Sequence, residues 1–220
     1  MWSYLKSWWV PPPPPAEPIA AKKVLPPLLV VSTIGEDGVG KYSLAYRFEG
    51  IPTLDLIHTL CQSDHVDFTL KTIEILDDNH ELTPVRIQVK YKSFMRHLRP
   101  DIQRRPPYYY GVSDALVMCY DTTRLETLDV LLEKWVPQAV SCKRPGQTNG
   151  QIPLTIVGTK TDKSTAEMCR NATKTIELAA KAGKIPFSFN HVQLSLKDSP
   201  QEAIDNVFAE LAQRIMFMKQ

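Results

Sequence analysis

The residues Gly35-Glu36-Asp37-Gly38-Val39-Gly40-Lys41 have the spacing GxxxxGK. Glycines at these intervals let a backbone turn tightly enough for successive N–H groups to converge on one anion. A helix opening at the lysine adds its positive end to the attraction. Lys41 would supply an ammonium to phosphate oxygens, and charge-assisted contacts of that kind contribute about 1.5–3 kcal/mol each. Asp37 opposes this mildly by placing an acid beside the anion. Two other polar turns follow apolar runs: Thr159-Lys160-Thr161-Asp162 after "LTIVG", and Ser195-Leu196-Lys197 after "FNHVQL". The histidines His58, His65, His80, His97 and His191 have neither metal-ligand nor triad spacing, so they are assigned no chemistry. The cysteines Cys61, Cys119, Cys142 and Cys169 form no CxxC pair, and buried unpaired thiols in a reducing cytosol are the expectation.

The segments that must position these turns differ from the start of the chain. Residues 1–27 form a tail: "MWSYLKSWWV" holds three of the four tryptophans, and "PPPPPAEP" reads as a stiff polyproline spacer. A secretory signal is not expected, because there is no basic leader and proline blocks a long apolar helix. Residues 28–220 read as one α/β domain. With 43% hydrophobic and 23% charged residues, the chain can bury an ordinary core, and a net charge of +2 gives no argument for nucleic acid. No apolar run approaches the roughly 20 residues that span a bilayer.

Leu28–Ile34 is a continuous apolar run, as in a buried parallel strand, and Lys41–Phe48 should open a helix after the glycine turn. Asp67–Leu76 and Val85–Lys92 alternate on either side of "DDNH", which predicts a hairpin. A basic, proline-broken loop follows, then a buried strand at Ala115–Asp121 and a helix over Arg124–Val136. "PLTIVGTKTD" predicts a strand and turn, "TAEMCRNATKTIELAAKAG" a helix stopped by Gly183, and "FNHVQLSLKD" a last strand. The final helix should have Ser199 as N-cap and Pro200 just inside.

Taken in order, these pieces resemble the Ras superfamily of small GTPases, closest in flavour to the Rab branch with one Rho-like touch. The resemblance spans Leu28 to about Phe217. It implies a three-layer P-loop NTPase (Ras-like) domain with a mostly parallel six-stranded sheet and one antiparallel edge strand. It also implies that the chain binds GTP or GDP. Gly35, Asp37, Gly38, Val39, Gly40, Lys41, Tyr42 and Ser43 would surround the phosphates. Thr159, Lys160 and Asp162 would match the family's [NT]KxD motif, with Asp162 accepting from the guanine N1–H and amine and Lys160 packing over the base. Ser195, Leu196 and Lys197 would match its SAK turn, with Leu196 in place of alanine.

Three departures fall on the metal and the attacking water. Tyr42 stands where the family places the Ser or Thr that ligates magnesium. Magnesium demands near-octahedral oxygen ligands at about 2.0–2.1 Å, and a phenol cannot reach that position from the same backbone. Ser43 points about 100° away around the helix and is a poor substitute. Where the family reads DxxGQ, this chain has Tyr91 for the magnesium-side Asp, Phe94 for the Gly and Met95 for the water-orienting Gln. Ser63 aligns with the switch I threonine. Losing the metal and the water-positioning group together removes most of the machinery for phosphoryl transfer. No catalytic or metal-ligating residue is therefore expected, and magnesium is doubtful.

The resemblance implies an atypical Ras-like protein that binds guanine nucleotide with little or no hydrolysis and serves as a scaffold or adaptor in a cytoplasmic or membrane-peripheral assembly. Two alternatives stand beside it: a slow switch completed by a partner, and a nucleotide-free structural subunit. The last cysteine is Cys169, so no C-terminal prenyl anchor is expected. Trp2, Tyr4, Leu5, Trp8 and Trp9 could instead seat on a membrane surface or in a partner's groove. The Arg96–Arg105 segment, with Arg96, Arg99, Arg104 and Arg105 against Asp101, would offer a docking face for a protein partner.

Overall fold

The computed structural model describes residues 25–51, 68–76, 80–91, 111–141, 152–185 and 188–219. Residues 1–24 of the N-terminal tail, Ser63, Phe94, Met95 and the Arg96–Arg105 segment lie outside the described residues. Six strands form one sheet: β1 (Leu28–Ile34), β2 (Phe68–Leu76), β3 (Leu82–Lys90), β4 (Ala115–Asp121), β5 (Leu154–Thr159) and β6 (Phe189–Gln193). Their spatial order is β2-β3-β1-β4-β5-β6. Every neighbouring pair is parallel except β2 with β3, a hairpin in which Phe68 faces Lys90 and Leu76 faces Leu82. The expected fold class holds.

Alternation along the central strands divides the core into two layers. Val117 and Cys119 of β4 join Leu29, Val31, Ile87 and Val157 under two helices, α1 (Lys41–Glu49) and α4 (Gln201–Met218). Leu116, Met118 and Tyr120 face the other way, under α2 (residues 126–141) and α3 (Ala166–Lys181). Both faces of β4 are covered, which explains why all seven of its residues are buried.

Helix α2 departs from the sequence expectation. It begins at Glu126 and does not stop before Pro137: helical turns at Glu126–Val130 and Val136–Ser141 flank a π-helical stretch, Leu131–Trp135. Proline lacks an N–H and crowds the carbonyl four residues back, and a widened turn lets the helix pass it. Strand β3 likewise starts at Leu82, ahead of Pro84. The amide of Arg86 faces β1 and donates to Pro27 O at 2.9 Å, and β1 pairs with β3 only from Leu28 opposite Arg86. Pro84, two residues earlier, therefore lacks its N–H on a side beyond the start of β1, where no ladder bond is lost.

Helix α4 begins at Gln201 with Pro200, not Ser199, as its N-cap. The Ser199 hydroxyl instead accepts from the Ser195 N–H at 3.1 Å, inside the turn before the helix. Gly183 (φ 70) does end α3, with the Lys184 N–H reaching back to Ala179 O at 2.9 Å.

Candidate nucleotide-binding site

The glycine turn joins β1 to α1 at the C-terminal edge of the sheet, and its conformation depends on residue type. A Cβ on Gly35 (φ 145) would lie 2.2 Å from the Cys119 carbonyl oxygen, so any side chain would drive the loop off β4. Gly38 (φ 78) and Gly40 (φ 92) are also in conformations that favour glycine. Lys41 is buried, and its Nζ donates to Gly35 O at 2.9 Å and Glu36 O at 2.7 Å, closing the loop into a ring around its own ammonium. The Glu36 carboxylate is anchored outside that ring by the Trp135 Nε1–H at 3.0 Å, in the π-helical stretch of α2. Asp37 and Gly38 are exposed at the mouth.

The second turn is tied to the first. Thr159 Oγ1 donates to Val39 O at 2.7 Å and lies 3.1 Å from Tyr120 O, which fixes the phosphate loop to the ends of β4 and β5. Lys160 takes a left-handed conformation (φ 63), and its Nζ meets Asp121 Oδ2 at 2.7 Å. Asp121 is 1% exposed. Its Oδ1 accepts from Thr123 N (2.9 Å) and Oγ1 (2.6 Å), and its Oδ2 accepts also from Arg124 Nε at 3.1 Å. Burial alone raises its pKa and is the largest single effect, but the bonds from Lys160, Thr123 and Arg124 together outweigh it and hold the carboxyl below the usual range.

The third turn completes the cluster. Ser195 Oγ donates to Asp162 Oδ1 at 3.1 Å and lies 3.2 Å from Asp198 Oδ2, while accepting from the Asp198 N–H at 2.9 Å. Asp162 is exposed, held from behind by this serine and open toward the mouth, as is Lys197. Leu196 is buried beside Gly40, its Cδ1 3.2 Å from where a Cβ of that glycine would be. Arg47 of α1 grips the turn from beneath, with Nη1 3.0 Å from Leu196 O and Nη2 2.9 Å from Ser199 O. Thus the phosphate loop, the TKxD-type turn and the serine turn converge.

On the far side of the lysine, two of the departures touch. Tyr42 and Tyr91 pack edge to face with ring centroids 5.2 Å apart, and Tyr91 leans on Tyr46 at 5.3 Å. The Tyr91 hydroxyl donates to that of Tyr46 at 3.0 Å, and Tyr91 is 1% exposed. Ser43 is half-buried one helical position on. A hard divalent ion needs several oxygens around one point. Among the described residues, the positions that the resemblance assigns to a hydroxyl ligand and a carboxylate hold packed rings, which offer a divalent ion no pair of hard oxygens there. An acceptor carboxylate (Asp162), a glycine cradle and a buried lysine (Lys41) stand on adjoining turns, the chemistry that a guanine nucleotide would require.

Five residues of this region were missed in the sequence: Asp121, Arg124, Arg47 and the pair Glu36–Trp135. An acid directly after the apolar run "ALVMCY" and an arginine inside "LAYRF" were available signals, since buried charges are ordinarily paired.

A mostly parallel sheet whose first strand feeds a lysine-closed glycine loop defines a P-loop nucleoside-phosphate-binding domain. A model of the Ras family matches residues 101–217. The chain is 29% identical over 191 residues to Ras-related protein Rab-18-B of Danio rerio, covering 86% of this chain and 79% of that one. It is 25% identical over 185 residues to Ras-related protein RABC2a of Arabidopsis thaliana, covering 83% and 75% respectively. A shorter match, 30% over 84 residues, joins 36% of the chain to 37% of Rho-related GTP-binding protein RhoD of Homo sapiens. The chain belongs to the Ras family of small GTPases.

Proposed function

We propose that this protein binds a guanine nucleotide without magnesium, hydrolyses it slowly or not at all, and acts as a scaffold or adaptor subunit in a cytoplasmic or membrane-peripheral assembly. The observation that supports this most is the contact between Tyr42 and Tyr91. The two side chains that replace metal ligands pack on each other, so restoring a metal seat would require moving both. The intact guanine-side turns, with Asp162 held by Ser195, support retained nucleotide binding. Hydrolysis depends on a metal and a positioned water, and the first lacks its seat. Docking of protein partners through the Arg96–Arg105 segment or the N-terminal tail belongs to the same proposal.

The test is to purify the protein with and without prior EDTA, denature it, and identify any released nucleotide by chromatography. GDP or GTP retained through chelation, with negligible turnover of added GTP, is the expected result. Nucleotide lost on chelation would favour a working switch completed by a partner, and no nucleotide in either preparation would favour a structural subunit with an empty pocket.

A further inference from the structure

The cradle described above holds a cation that no motif assigned. Arg124 sits on a rigid turn after β4: its N–H donates to Asp121 O at 3.0 Å, and its own carbonyl accepts from Thr127 N at 3.0 Å and Thr127 Oγ1 at 2.7 Å. The side chain is oriented at its base by Nε donating to Asp121 Oδ2 at 3.1 Å. Its tip extends over the phosphate loop, where Arg124 Nη2 is the nearest group to a Cβ built on Gly38, at 3.7 Å. Gly38 is exposed and lies between Asp37 and Val39 in the phosphate-cradling stretch.

A structural ion pair with Asp121 is the simpler account of this arginine. Yet Asp121 is already met at 2.7 Å by Lys160 and twice by Thr123. The Arg124 side chain is 46% exposed, so the pair gains little from burial. A guanidinium has five donors in a planar fork suited to phosphate oxygens, and Nε uses only one of them.

We infer that Arg124 is a phosphate-binding residue: its Nη groups contact the nucleotide's phosphates over Gly38 and supply part of the positive charge that a magnesium ion provides in a P-loop site. Asp121 acts as the positioning residue that aims it. This rests on the guanine-nucleotide reading above and adds a residue and a charge mechanism to it.

The experiment measures the affinity of the full chain for GDP in EDTA, at several salt concentrations, for wild type, R124Q and R124K. Removing one charge-assisted phosphate contact should weaken GDP binding by about tenfold or more. It should also reduce the salt dependence of binding, because one fewer cation meets the phosphates. R124K should fall between the two, keeping the charge without the fork. Thermal unfolding checks that R124Q remains folded, and Lys160 still pairs Asp121 in that variant. If R124Q keeps wild-type affinity, or loses affinity with an unchanged salt dependence as a purely structural role predicts, the inference is overturned while the nucleotide reading stands. Wild-type protein with no measurable affinity for GDP overturns both.

Discussion

A double-mutant cycle on Tyr42 and Tyr91 probes the reason for expecting metal-independence. Tyr91 is among the largest fully buried side chains, in ring contact with Tyr42 on one side and Tyr46 on the other. Truncating a buried aromatic to alanine costs about 3–5 kcal/mol, and the loss of two ring pairs places Tyr91→Ala toward the upper end. Tyr91→Phe retains the rings and removes the hydrogen bond to the Tyr46 hydroxyl at 3.0 Å, at about 1 kcal/mol. Tyr42 is half-buried, so Tyr42→Ala alone should cost less than Tyr91→Ala. If the two rings interlock, the double variant should be more stable than additivity predicts by about 0.5–1.5 kcal/mol. Urea unfolding in EDTA supplies all four corners of the cycle, and for a domain of this size each 1 kcal/mol is about 2–4 °C in Tm. Additive costs within error, or Tyr91→Ala costing under about 1 kcal/mol, would refute the claim that packed rings close the metal position.

Three further outcomes are expected. Gly35→Ala puts a methyl against the Cys119 carbonyl and should destabilise the fold by about 3 kcal/mol or more, read as lost soluble yield or a lowered urea midpoint. Asp162→Ala removes the base-side carboxylate from an exposed position, so GDP affinity should fall by about tenfold or more while Tm changes little, as measured by calorimetric titration and thermal melts. Burial lowers the pKa of His191, with Glu177 partly opposing, and its Nε2 lies 3.0 Å from the Tyr120 hydroxyl. The folded state therefore binds fewer protons than the unfolded one. This contribution is fully present above the unfolded pKa of about 6.5 and is lost as pH falls toward the lower folded value. Urea midpoints measured across that window should drop with acidification, and His191→Gln should flatten the dependence.

Much of this arrangement was legible in the sequence because the signals were local. Leu28–Ile34, the glycine turn and the helix after Lys41 are adjacent in the chain, and their spacing sets their geometry. The polar turns at Thr159 and Ser195 were readable because each follows a strand whose end the sheet aligns with the glycine loop. Where tertiary packing overrode a local rule, the reading failed. Pro137 and Pro84 look like breakers, but a widened helical turn absorbs one and an unpaired strand flank the other. Ser199 looks like a helix cap, but the Ser195 amide lies closer to hand. Asp121, Arg124 and Arg47 act through partners up to 152 residues away in the chain, a distance no motif spacing encodes.

Magnesium dependence of GDP release tests the central claim most directly. A fluorescent GDP analogue is bound, and its dissociation is followed with excess unlabelled GDP in millimolar magnesium and then in EDTA. Rates equal within about twofold are predicted, since each tenfold change would require about 1.4 kcal/mol from a metal that the proposed mode of binding does not include. Release accelerated about a hundredfold or more by chelation would contradict the account, because it would mean that a divalent ion is held beside Tyr42 and Tyr91.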